Sequence, residues 1–115
     1  MPNLTKLADG TEVRTDSEEW RAECEARYVL SMDAGRRFSF MDAVRSRRGS
    51  TALVRLEKMV SEVEPDYVLR MPSKDARHAY LAKIARLKSD NAAEHLRSRV
   101  LALHHNRKAT QAAHV

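Results

Sequence analysis

The chain has 115 residues, 43% of them hydrophobic and 32% charged, with a net charge of +5, three Gly, three Pro and a single Cys. That length suits one domain, or two very small ones that share a core. So few Gly and Pro exclude a turn-rich β fold, and the lone Cys24 excludes an internal disulfide or a cysteine-rich zinc site.

No apolar run approaches the roughly 20 residues that cross a bilayer. The opening MPNLTKLADG lacks the apolar core of a signal peptide. Together these predict a soluble, cytoplasmic protein with no membrane partner. Charge is unevenly spread: residues 1–35 hold four Lys/Arg and eight Asp/Glu, residues 36–115 seventeen and eight. Such asymmetry points to an acidic end and a basic end, each able to face a partner or the other.

Asp9-Gly10, between Leu7 and Val13, is a turn signal and predicts a short β-hairpin or arm over 1–16. Thr15, Asp16 and Ser17 can cap a first helix over 17–32, with Glu18 and Glu19 at its positive end. Trp20, Cys24 and Tyr28 recur every four residues and predict its buried stripe. DAG at 33–35 breaks that helix. A second follows over 36–48, with Phe38, Met41 and Val44 on one side and Phe40 beside them, and Gly49 as its C-cap.

Ser50 can cap a third helix, striped by Leu53, Leu56, Val60 and Val63. Glu64-Pro65 predicts its end, because proline disfavours a helical residue before it. A short helical turn over 66–71 comes next, then a helix over 73–88 opened by Pro72-Ser73. Ser89, Asp90 and Asn91 can cap the last helix, with Ala93, Leu96, Val100 and Leu103 inward. Past residue 107 the apolar period is lost, which predicts a flexible tail over 108–115.

The chain nearly repeats itself. YVLSM at 28–32 returns as YVLRM at 67–71. Allowing one extra residue in the following turn, Arg37, Phe40, Met41 and Val44 fall on Arg77, Tyr80, Leu81 and Ile84. Further on, Arg48, Ala52, Leu56 and Val60 fall on Lys88, Ala92, Leu96 and Val100. The predicted fold is therefore all-α: two repeated helical-hairpin units, 17–64 and 65–107, forming a small bundle. The pattern CEARYVLSM…RRFSFMDAVRSRRG, with YVLRMPSKDARHAYLAKI, resembles small uncharacterised helical proteins of bacteriophages and prophages. The resemblance spans about 18–101, and DAG at 33–35 departs from the proline-containing form that Met71-Pro72 keeps. It implies an accessory protein of a mobile element, in a bacterial host's cytoplasm. Such proteins often bind and block host machines, CRISPR complexes included.

Catalytic signals are lacking. Cys24 on its stripe reads as a core thiol. No phosphate loop, nucleophile elbow or zincin motif occurs. His104 and His105 stand about 100° apart on a helix without Asp, Glu or Cys nearby, so neither a metal nor another cofactor is predicted. The stronger lead is basic: Arg36, Arg37, Arg45, Arg47 and Arg48, of which Arg37, Arg45 and Arg48 share a face, then Arg97, Arg99, Arg107 and Lys108. Acidic Glu18, Glu19, Glu23 and Glu25 mark the first helix and can pair with the basic half. Arg37 and Arg77 occupy equivalent positions, predicting a structural role: bridging a carboxylate, or capping carbonyls of the preceding helix. No exposed aromatic is predicted among the basic residues, which counts against stacking of single-stranded bases. The sequence thus predicts a non-enzymatic protein that docks on and inhibits a host complex, a CRISPR effector being the most specific form. The alternative is an accessory protein that binds nucleic acid through its Arg-rich helix. Self-association as a homodimer is also open to it.

Overall fold

In a computed structural model, residues 3–113 are described, and among them lie one two-stranded antiparallel sheet and five helices. The chain divides into two compact units, one up to Glu64 and one from Pro65 onward. No helix is long and apolar enough to cross a membrane.

Strands β1 (Leu4–Lys6) and β2 (Glu12–Arg14) pair with Thr5 opposite Val13. The turn between them needs Gly10, whose φ of +90° suits a residue without Cβ. Asp9 accepts the Thr11 N–H at 2.9 Å, and this bond holds the Asp9 carboxyl below its usual pKa of 3.8. The hairpin is tied to the first helix by the Ala8 N–H, which donates to Glu23 Oε1 at 2.7 Å.

Helix α1 (Glu18–Leu30) starts at Ser17, whose Oγ accepts the Trp20 N–H. Its buried residues are Glu23, Ala26, Val29 and Leu30. The predicted stripe is therefore displaced: Trp20 is half-buried, while Cys24 and Tyr28 are exposed. A four-residue spacing drifts about 40° per step round a helix, and the core follows the neighbouring line instead. Glu23 goes inward because the Ala8 N–H and Arg27 give its carboxylate partners.

Asp33 caps α2 (Ala34–Arg48) by accepting the Arg36 N–H at 2.8 Å. Gly49, φ +92°, ends that helix. Phe40, Met41 and Val44 face the core, whereas Phe38 is 75% exposed, the reverse of the predicted side. Phe38 lies about 120° round the helix from Val44, outside the inward arc.

Six predicted helices become five because α3 (Ser50–Leu69) runs through Pro65. An interior proline lacks the N–H and crowds the preceding turn, at about 3 kcal/mol. Apolar burial on both sides offsets that cost: Val63 is 1% exposed and Val68 0%. Ser73 and Ser89 cap α4 (Lys74–Leu87) and α5 (Asp90–Ala113) through their hydroxyls, which accept the Ala76 and Ala92 N–H groups. Where the sequence pattern starts a tail at 108, α5 continues to Ala113, built of residues that favour helix. Residues 114 and 115 of that tail lie outside the described residues.

Each unit has its own apolar cluster, and the two are built from equivalent positions. In the first, Val29, Val44 and Leu56 are buried with Phe40, Met41, Ala52, Leu53 and Val60 against them. In the second, Val68, Ile84, Leu96 and Val100 are buried under Leu69, Tyr80, Leu81, Ala92 and Ala93. Tyr28 meets Phe40 with ring centroids 5.9 Å apart, and Tyr67 meets Tyr80 at 6.0 Å. Arg37 donates to the carbonyl of Leu30, the last residue of α1, and Arg77 to that of Met71, two residues past the end of α3. Of the two roles open to that arginine pair, carbonyl capping is the one the geometry adopts.

Candidate functional site

Helix α2 carries five arginines against a single acid, Asp42, and their environments divide them sharply. Arg37 is half-buried and points at the end of α1, its Nη2 3.5 Å from the Leu30 carbonyl and its Nε buried without a hydrogen bond. Arg45 is ion-paired with Asp42 one turn back. Arg48 grips Glu25 of α1 with both terminal nitrogens, at 3.0 and 2.8 Å. That bidentate bond favours the charged guanidinium and raises the Arg48 pKa further. The predicted shared face of Arg37, Arg45 and Arg48 thus holds one inward cap and two neutralised cations. Arg36 and Arg47, by contrast, are exposed and form no ion pair among the described residues.

The other basic cluster is mostly occupied as well. Arg97 lies 3.8 Å from Glu94, and Arg99 is half-buried in α5. Arg107 and Arg70 both bind the buried carboxylate of Asp66. Lys108 remains exposed. On the acidic side, Glu18 and Glu19 are exposed in the first turn of α1, where they complement the helix dipole. Glu23 is 3% exposed and holds the hairpin, so it is not part of an acidic surface. Charge pairing within the first unit accounts for Glu25.

Several hollows open on the first unit. A cleft of about 460 Å³ has Ala22, Ala52, Leu56 and Met59 as its apolar lining, with the Glu25–Arg48 pair and Arg55 around it. A shallower depression of about 410 Å³ is lined by Tyr28, Met32, Gly35, Arg36, Ser39 and Phe40. Among the described residues no group of three His, Cys, Asp or Glu is placed to hold a metal ion.

Sequence reasoning missed the two exposed aromatics, Tyr28 at 54% and Phe38 at 75% exposure. A signal for Phe38 was present. The repeat sets it opposite His78, and a polar residue at the same place in the second unit marks a solvent-facing position.

Residues 13–64 match a family of unknown function, DUF7696. The likeness covers β2 nearly whole, α1, α2 and the part of α3 that belongs to the first unit. No curated protein and no solved structure matches the chain.

Proposed function

We propose that the protein is a non-enzymatic binding protein that docks on a host protein complex and inhibits it. The resemblance to phage and prophage proteins suggests the setting, and an anti-CRISPR inhibitor of a CRISPR effector is its most specific form. The observation that supports docking is Phe38, three-quarters exposed on α2. Complete burial of such a ring in a partner is worth about 1.5–3 kcal/mol. Asp42 and Arg45 stand four and seven residues on, along the same side of the helix. An aromatic anchor ringed by charged groups is the usual make-up of a binding hot spot. With His78 in its place in the second unit, the fold itself does not call for the ring.

Photo-crosslinking from position 38 of the full chain, in a bacterial lysate with an active CRISPR effector, tests this. One discrete effector subunit is expected to crosslink, and wild-type protein should compete it away where Phe38→Asp does not. In a plasmid-interference assay the wild type should relieve interference and Phe38→Asp should fail to. Diffuse crosslinking with interference unchanged by the wild type would sink the reading.

A further inference from the structure

The depression beside Tyr28 has a chemistry separate from the Phe38 surface. Tyr28, in the last turn of α1, is 54% exposed, and its ring meets that of Phe40 edge-on, with an interplanar angle of 72°. An edge-to-face pair occupies at most one face of a ring, which leaves aromatic surface open. Arg36 lines the same depression and has no ion-pair partner among the described residues. Eleven residues along α2 stands Arg47, also exposed and unpaired among the described residues. That spacing puts it about 16 Å away and only about 20° round the helix, so both cations lie on one flank.

The second unit shows that the arginines are additions to the fold, whereas Tyr28 has its counterpart in Tyr67. Where the first unit has Gly35, Arg36 and Arg47, the second has Asp75, Ala76 and Leu87, yet the same cluster forms beneath them. A Cβ at Gly35 would make only an ordinary contact with Asp33 Oδ1, at 3.5 Å, so packing does not demand glycine there. An open aromatic face with two unneutralised arginines in line suits an unpaired strand, whose bases stack and whose phosphates accept from guanidinium groups. A duplex keeps its bases stacked inside and offers no base face to such a ring.

We propose that the depression binds single-stranded nucleic acid, with Tyr28 stacking on a base and Arg36 and Arg47 contacting phosphates on either side. The full chain is titrated against a fluorescein-labelled oligothymidine, a duplex of equal length and heparin, by anisotropy over a salt series. Oligothymidine should bind tighter than the duplex. Tyr28→Ala should weaken that binding by about 5- to 100-fold with little change in salt dependence, and Tyr28→Phe should preserve it. Arg36→Ala and Arg47→Ala should each reduce the slope of log K against log salt by about 0.7. Thermal melts by circular dichroism check that each variant folds. With the wild type alone, ultraviolet crosslinking of a bromodeoxyuridine oligomer should map to Tyr28 or its neighbours in the depression. Equal binding of strand, duplex and heparin overturns the proposal, as do crosslinks confined to other segments or no binding at about 50 mM salt.

Discussion

Asp66 is 1% exposed, yet two arginines reach it from different turns of the chain: Arg70, just past the end of α3, and Arg107 from α5. A buried carboxylate is tolerated only when such partners replace its water. Arg70 and Arg107 keep 59% and 37% of their side chains exposed, so their charge is mostly solvated and the carboxylate bears the desolvation. Asp66→Ala is therefore expected to destabilise by about 1.5–3 kcal/mol, in line with hydrogen bonds to charged groups. Arg70→Gln should cost clearly less, because Arg107 still holds the carboxylate. Urea unfolding of the three proteins checks this, and an Asp66→Ala midpoint equal to the wild type would contradict it. Such a residue is hard to read in sequence. Asp66 follows a proline and looks like a helix cap, and these arginines are four and forty-one residues away. Tyr28 and Cys24 mislead for another reason. Their four-residue spacing traces a line on α1 that runs beside the buried one, and only the partners of Glu23 show where the core lies.

At the scale of elements, caps were legible and continuity was not. Ser17, Asp33, Ser73 and Ser89 each accept a backbone N–H at a helix start, and Gly49 ends α2 at positive φ. These are local interactions, decided within four residues, and the sequence displays those of Ser17, Ser73, Ser89 and Gly49 directly; Asp33 reads there only as part of a helix break, and Ser50, expected as a cap, is instead the first residue of α3. Pro65 is a local signal of the same kind, and it is overruled. Its helix-ending tendency competes with burial of Val63 and Val68, which depends on residues far along the chain. The closing arginines test how alike the two units are at this level. Arg37→Ala removes a donor to the last residue of α1, and Arg77→Ala removes a donor to Met71, in the turn that follows α3. Each is expected to cost about 1–2 kcal/mol, the order of a lost cap, and to speed amide exchange at 29–32 and 68–71 respectively. A large loss for one and none for the other would show that only one arginine holds its helix end.

The molecule as a whole repeats one packing scheme, with Leu56 and Leu96 as equivalent centres at 5% and 4% exposure. The repeat in the sequence exposed that scheme, because core positions keep their apolar character while surface positions diverge. For the same reason it says least about function: Arg36, Phe38 and Arg47, on which the proposed contacts rest, stand opposite Ala76, His78 and Leu87 in the second unit. Units of this size bury only about 60% of their unfolded surface and are marginally stable. Each cluster here rests on residues of its own unit. Leu56→Ala and Leu96→Ala should each remove about 2–5 kcal/mol, a large part of what such a core supplies. Hydrogen exchange read residue by residue then separates two behaviours. If the units open separately, Leu56→Ala deprotects α1 and α2 while α4 and α5 stay protected, and Leu96→Ala does the reverse. If either substitution deprotects all of these helices alike, the two clusters unfold as one cooperative core, and the repeat describes geometry without independent stability.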